Sequence, residues 1–149
     1  MSKSQGRIPE WFPAWSAELS ERYPEEGANF FRLDVEEVAP GRGAFFVVRL
    51  DGGAIGCGAI RRIDAATAEI KRMYIVPEQR GRGAARELMG ALENVAAELR
   101  VQRVVLETGE RQPEAIALYK RFGFAPIPPF GEYVGSPLSY CMEKILTAR

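Results

Sequence analysis

Hydrophobic and polar positions along the chain follow two rhythms, one typical of strands and one of helices. Mostly apolar residues occupy 44–50 and again 54–63, and Asp51-Gly52-Gly53 separates the two stretches. Turn residues between two such runs predict an antiparallel hairpin. A second turn at 64–67 leads to another predicted strand, 68–76, which ends at Pro77 because proline has no N–H to donate to a sheet.

The rhythm becomes helical after Gly83, where apolar residues recur at spacings of three and four and form one stripe: Leu88, Leu92, Val95 and Leu99. A short β-branched run at 103–107 predicts a strand. Pro113 then opens a helix at the position where a missing N–H has no cost. Gly123 is predicted to end this helix in a left-handed conformation.

The two ends of the chain are less regular. Aromatic and apolar residues at four-residue spacing predict a helix over 11–24, with a loop at 23–29. The stretch 30–38 is compatible with either a strand or an irregular segment, and 1–10 is expected to be flexible. A proline-rich loop at 126–137 precedes a last strand, 138–146. This order predicts a single α/β domain over 1–149 with a largely antiparallel front and a crossover in its back half.

Composition narrows the chemistry more than it narrows the fold. Lysine plus arginine and aspartate plus glutamate number 20 each, so charge favours neither a nucleic acid nor a membrane as partner. Histidine is absent, which excludes Ser-His-Asp hydrolysis, Cys-His pairs and histidine-bound zinc. We expect no metal. Cys57 and Cys141 are isolated, and two reduced thiols with no signal-peptide pattern predict a cytoplasmic protein. Cys57 is predicted to be a packed core thiol rather than a nucleophile.

A glycine-rich turn joins the predicted strand 68–76 to the helix that begins near Gly83. Such a turn gathers free backbone N–H groups at the positive end of a helix dipole, and it binds phosphates. A plain turn with solvated arginines is the alternative. A P-loop is excluded because Gly83 is followed by two alanines instead of Lys-Ser/Thr. A dinucleotide loop is nearly matched, with Glu107 as the acid, but the strand before the turn is too polar for a buried parallel strand.

The residues around this turn resemble the GNAT family of N-acetyltransferases. Arg80-x-x-Gly83-x-Ala85 is similar to the family's pyrophosphate loop, and the strand 68–76 before it is similar to the family's fourth strand. Leu106-Glu107-Thr108-Gly109 and the 115–124 segment resemble its fifth strand and fourth helix. The resemblance covers 44–146 and is strongest over 68–125. It implies a mixed, mostly antiparallel sheet of six or seven strands whose fourth and fifth strands splay apart, with helices around it.

The resemblance also implies a function and a set of cofactor contacts. The expected activity is direct transfer of an acetyl group from acetyl-CoA to a primary amine of a small molecule or peptide, in a ternary complex. A non-catalytic acetyl-CoA-binding module is the alternative. A homodimer is a further expectation from the family. The residues expected to contact acetyl-CoA are Met73, Tyr74, Ile75, Val76, Arg80, Gly81, Arg82, Gly83, Ala84, Ala85, Gln112 and Tyr119.

Three side chains are candidates for acid and base catalysis, again from the resemblance. Tyr119 is the candidate acid that protonates the CoA thiolate, although it also fits a core position on its helix. Glu69 and Glu107 are alternative general bases, and a water chain is a third option. Strand alternation predicts that Glu69, Lys71 and Met73 share one face, so a solvated Glu69–Lys71 pair is the competing interpretation.

Two predictions are less specific. Gln112 stands where the family often has Asn, so it contacts the cofactor or simply caps the following helix. The acceptor cleft is expected to lie between 11–31 and 128–137, whose aromatic residues, with Glu25, Glu26 and Glu132, suit a cationic or amino-acid-like substrate. The same prolines and aromatics are also typical of segments that only cover a core.

Overall fold

The structure is a computed structural model that describes residues 2–5, 35–39, 41–51, 53–109 and 113–146. Nine strands and α-helices lie within these ranges: β1 Ser2–Gln5, β2 Gly43–Leu50, β3 Gly53–Asp64, β4 Thr67–Ile75, α1 Ala84–Glu98, β5 Arg103–Gly109, α2 Pro113–Arg121, β6 Ala125–Ile127 and β7 Ser139–Ile145. The predicted helix 11–24 and loop 23–29 lie outside the described residues. The described part of 30–38 contains a short 3-10 helix, Val35–Val38.

The strands form one mixed sheet in the order β1-β2-β3-β4-β5-β7-β6. Among the described strands β4 and β5 pair in parallel, and every other pairing is antiparallel. The α/β class and the mostly antiparallel sheet are therefore confirmed. No helix in the described ranges is long and apolar enough to cross a membrane.

Both helices cover the same side of the sheet, which we call the helical face. Leu92 of α1 is fully buried there in one cluster with Tyr119 of α2, and Leu88 of α1 is fully buried in a second cluster. The predicted apolar stripe of α1 thus forms the core. Gly123 follows α2 with a φ of 95°, and Phe124 N–H donates to the Tyr119 carbonyl, so the predicted left-handed helix end is confirmed.

Strand β4 contains a β-bulge that the sequence did not predict. Ala59 of β3 lies opposite Lys71, whereas Cys57, two residues earlier, lies opposite Tyr74, so β4 has one extra residue. Arg72 adopts a left-handed φ of 60° at this point, and the Cys57 thiol donates a hydrogen bond to its carbonyl at 3.2 Å. Burial raises the pKa of Cys57 to about 12, which fits the predicted packed core thiol.

The bulge corrects the predicted strand alternation. Met73 lies on the helical face, packed against the same cluster as Leu92. Its sulfur and Leu92 are the groups that a Cβ atom at Gly58 would meet first. Glu69 instead bonds to Arg61 and Tyr133. The prediction that Met73 shares a face with Glu69 is wrong, because the extra residue at Arg72 reverses the side on which the next side chains lie. We call the side that carries Glu69 the polar face.

Candidate active site

A cleft opens where the parallel pairing of β4 and β5 ends. Residues 67–70 pair with 103–106, and the remaining residues of the two strands diverge. The predicted splay of these strands is confirmed. A cavity of about 670 Å³ fills the gap and extends from the glycine turn to the polar face. This volume is in the range of sites for small molecules and cofactors.

The glycine turn forms one end of the cavity. Gly81 and Gly83 have φ values of 79° and 89°, a conformation that glycine adopts without strain, and Gly83 is the residue that precedes α1. Gly81, Gly83, Ala84 and Ala85 line the cavity. The first backbone N–H groups of a 15-residue helix therefore lie beside it, at the positive end of the helix dipole.

Arg80 fixes the start of this turn against β4. Its Nε donates to the Ile75 carbonyl at 2.9 Å, and its guanidinium lies 5.4 Å from the centre of the Tyr74 ring. Both contacts are with the strand that leads into the turn. Arg80 therefore holds the turn in place, in addition to contributing positive charge to this end of the cavity.

The backbone of Ile75 places an N–H group in the cleft. Val76 N–H donates to the Ile55 carbonyl of β3 at 2.8 Å, so in a planar trans peptide the Ile75 carbonyl points away from β3. The N–H and carbonyl of one strand residue point to the same edge. The Ile75 N–H therefore points toward β5. Strand β4 therefore presents the Ile75 N–H to the cleft.

Behind the other end of the cavity lies a buried carboxylate, Glu69. Arg61 donates to its Oε1 from Nε at 3.0 Å and from Nη2 at 2.8 Å, and Arg61 also pairs with Glu37. Tyr133 donates its hydroxyl hydrogen to Glu69 Oε2 at 2.7 Å. Glu69 is 1% exposed and Lys71 7%, so the alternative of a solvated Glu69–Lys71 pair is wrong.

Two further carboxylates surround this end of the cavity. Glu107 accepts a hydrogen bond from the Ser139 hydroxyl at 2.6 Å. Glu132 pairs with Lys71 at 3.2 Å. Burial raises the pKa of Tyr133 far above its usual value, and the charges of Glu69, Glu107 and Glu132 add to the rise. Tyr133 therefore stays protonated in an acidic surrounding that favours a cation.

Tyr119 lies on the helical-face side of the cavity. It is 6% exposed, its ring meets Phe124 edge-on at 6.0 Å, and it contributes to the cavity wall. Burial, and next the charge of Glu107, raise the pKa of its phenol. The two interpretations made from the sequence, core residue and proton donor, are therefore compatible at this position.

The structure brings most of the predicted site residues to one cavity. Its wall includes Met73, Tyr74, Ile75, Arg80, Gly81, Gly83, Ala84, Ala85, Glu107 and Tyr119. Glu69, Val76 and Arg82 do not form part of this wall, and Gln112 lies outside the described residues. Lys71, Arg72, Thr108 and Tyr133 also line the cavity. Tyr133 belongs to the predicted acceptor segment 128–137, and Lys71 was considered only as a partner of Glu69, whereas Arg72 and Thr108 were not among the predicted site residues. Burial lowers the pKa of Arg72, whose guanidinium lies near Tyr133.

Comparison with known proteins agrees with this arrangement. The family model of the Acetyltransferase (GNAT) family matches residues 8–124. The IAA acetyltransferase of Azospirillum brasilense is 39% identical over 129 residues, which cover 86% of this chain and 83% of that protein. The chain therefore belongs to the GNAT family and is an N-acetyltransferase, as its relatives are.

Solved structures show the same fold. A crystal structure from Klebsiella pneumoniae, assigned as an acyl-CoA N-acyltransferase, is 33% identical, with a TM-score of 0.80 over 98% of this chain and 97% of that one. A GNAT acetyltransferase from Elizabethkingia anophelis, solved with acetyl-CoA bound, has a TM-score of 0.69 over 97% of both chains at 15% identity. At that identity the second likeness concerns the fold alone.

Proposed function

We propose that the protein transfers an acetyl group from acetyl-CoA directly to the primary amine of a small molecule. The observation that carries this proposal is the single cavity in the splayed sheet. One end meets the glycine turn and the start of α1, and the other end is lined by Glu107, Lys71 and Tyr133. A phosphate-binding end and a polar end are what a reaction between a CoA thioester and an amine requires.

The residues at hand fit acetyl-CoA as the co-substrate that supplies the acetyl thioester. The N–H groups at the start of α1 would bind its pyrophosphate, with Gly81 and Gly83 allowing close approach of the backbone. The Ile75 N–H would stabilise the oxygen of the acetyl group, and one such donor is typically worth about 100- to 1000-fold in rate. Tyr119 would supply the proton for the departing sulfur.

The polar end of the cavity supports an enzyme over a module that only binds acetyl-CoA. A binding module has no need for a second set of polar groups beyond the thioester, whereas an enzyme needs them for the acceptor. Glu69 and Glu107 remain the proposed bases. The Azospirillum relative is named for IAA, which supports a small-molecule acceptor for this chain.

Two measurements on the purified protein test the proposal. Calorimetry should show binding of acetyl-CoA and CoA, and a thiol-release assay with a panel of amino acids, polyamines and arylalkylamines should show CoA formation that depends on the amine. Binding with no release for any amine would favour the non-catalytic module. If the protein bound neither acetyl-CoA nor CoA, the proposed acetyl transfer would be contradicted.

A further inference from the structure

Tyr133 stands between the cavity and a carboxylate that the cavity does not reach. Tyr133 forms part of the cavity wall, while Glu69 does not. The two are joined by the 2.7 Å hydrogen bond from the phenol to Glu69 Oε2. The Tyr133 side chain therefore links Glu69 to the cavity wall.

The direction of this hydrogen bond fixes what Tyr133 offers to a ligand. A phenol has one hydrogen to donate, and here Glu69 accepts it. Toward any other group the Tyr133 oxygen can then only accept a hydrogen bond. An ammonium group, which has N–H donors and no acceptor, is the partner that this oxygen suits.

The contacts of Glu69 hold the pair in one geometry. Arg61 occupies Oε1 with two N–H donors, and Glu37 holds Arg61 from its other side. Burial alone would lower the pKa of Arg61, but its hydrogen bonds to Glu37 and Glu69 outweigh that effect and raise it, so Arg61 stays charged. Only Oε2 of Glu69 is directed at Tyr133.

We propose, resting on the acetyl transfer proposed above, that Tyr133 and Glu69 act together as the general base for the acceptor amine. The N–H bond of the bound ammonium breaks as its proton moves to Tyr133 Oη, and the original hydroxyl proton of Tyr133 moves to Glu69 Oε2. Tyr133 ends neutral, Glu69 ends protonated, and the amine gains the free electron pair with which it attacks the acetyl carbon. Of the two bases proposed above, Glu69 is then the one that takes the proton, and Glu107 binds the ammonium.

Other charged groups near this pair shape its pH dependence. Among the described residues these are Arg61 and Glu37 beside Glu69, with Arg72, Glu107 and Glu132 acting on Tyr133. Cys141 of β7 also faces Glu69 and Glu107. Lys71 is paired with Glu132. A substitution that only removes a charge contact would change the affinity for the amine. Loss of the relay must therefore be recognised by a change in the pH profile of kcat/KM.

The test compares Tyr133→Phe with the wild-type enzyme, using the best amine of the panel. Without the relay, the reaction depends on amine that is already unprotonated in solution. Near neutral pH we expect kcat/KM of the variant to be about 100- to 10,000-fold lower than that of the wild-type enzyme. We also expect the deficit to shrink about tenfold for each pH unit toward the pKa of the amine, because the unprotonated fraction rises in that proportion.

A second acceptor sharpens the comparison. A fluorinated analogue of the same amine, whose nitrogen is unprotonated at neutral pH, should be acetylated at a similar rate by both enzymes. Tyr140→Phe, which removes a phenol from β7 on the helical face, is the matched control and should keep the wild-type profile. Glu107→Gln should weaken amine binding without changing the slope of the profile.

The outcomes separate the two proposals. If wild-type protein acetylates no amine, both fall. If it is active but Tyr133→Phe shows the same deficit at every pH and with both amines, the relay is wrong. Melting temperature and acetyl-CoA affinity report whether the variant is folded. If Tyr133→Phe does not fold, Glu69→Asp, which keeps the charge near Arg61 but withdraws it from Tyr133, must show the same pH-dependent deficit or the relay is wrong.

Discussion

Tyr119 illustrates how burial would both serve and limit the proton donor proposed here. Burial beside Glu107 raises its pKa, so the phenol is protonated throughout the neutral range. The same burial makes it a weaker acid than a tyrosine in water. A thiolate in the same cavity is also desolvated, which raises the pKa of the thiol. The transfer is therefore less unfavourable in the cavity than the pKa values in water suggest.

Replacement of Tyr119 by Phe tests this role. We expect kcat to fall by about 100- to 10,000-fold, the usual contribution of a positioned acid. The acetyl-CoA affinity, measured by calorimetry, should be nearly unchanged because the ring still packs against Phe124. A kcat equal to that of the wild type would assign Tyr119 to the core alone.

Among the elements, the bulge in β4 has the clearest energetic signature. Arg72 adopts a φ of 60°, where a side chain costs roughly 1–2 kcal/mol relative to the usual strand region. Glycine has no such cost. The bulge places Met73 and Ile75 on the helical face and turns Tyr74 to the opposite side.

A pair of variants measures this cost directly. Arg72→Gly should be more stable than Arg72→Ala by about 1 kcal/mol in urea unfolding, because both lose the side chain and only alanine is strained. At Glu143, in the regular part of β7, the same two substitutions should rank in the opposite order. The same order at both positions would argue against the left-handed bulge.

The sequence predicts the elements that have strong local patterns. The hairpin β2–β3, the apolar stripe of α1 and the Gly123 helix end were all predicted. Strand β1 was missed because SKSQ has no apolar alternation, and β6 because it has three residues and contains Pro126. Proline is tolerated there because β6 lies at the edge of the sheet.

The site is predicted in part for a related reason. Glycines and the order of segments indicate the cofactor end of the cavity. The bond between Tyr133 and Glu69 joins residues 64 positions apart, so no local pattern reveals it. Arg72 gives no sign of a bulge, since arginine is not a residue that favours a left-handed φ. The sequence therefore predicts the carboxylates Glu69 and Glu107 and the segment 128–137, but the contact between Tyr133 and Glu69 is visible only in the folded chain.

For the whole molecule, buried phenols and thiols predict weakness toward alkali. Burial raises the pKa values of Cys57, Cys141, Tyr119 and Tyr133 above their usual 9.0 for thiols and 10.0 for phenols. In that range the unfolded chain releases protons that the folded protein keeps. The contribution of these groups to the free energy of unfolding is fully present below about pH 9 and is lost as the pH rises above it.

Urea unfolding between pH 7 and pH 12 measures this loss. We expect the free energy of unfolding to fall from about pH 9 and more steeply above pH 10. In Cys57→Ala the slope should be less steep by about 1.4 kcal/mol per pH unit, the effect of one proton. Thr67→Ala, which removes a buried hydroxyl from β4, should change the level of the curve but not its slope. Equal slopes for Cys57→Ala and wild type would contradict the burial of that thiol.

The short parallel pairing of β4 and β5 has a mechanical consequence. Four residue pairs join a half-sheet of β1–β4 to a half-sheet of β5–β7. These four pairs act as a short hinge between the two half-sheets, and a molecule bound in the gap sets the angle at which they open. One more residue pair would strengthen the hinge but would narrow the gap that CoA needs. The rigidity of this sheet and its capacity for a long, thin substrate therefore cannot both be maximal, and hydrogen exchange at 67–70 and 103–106 should slow when CoA is bound.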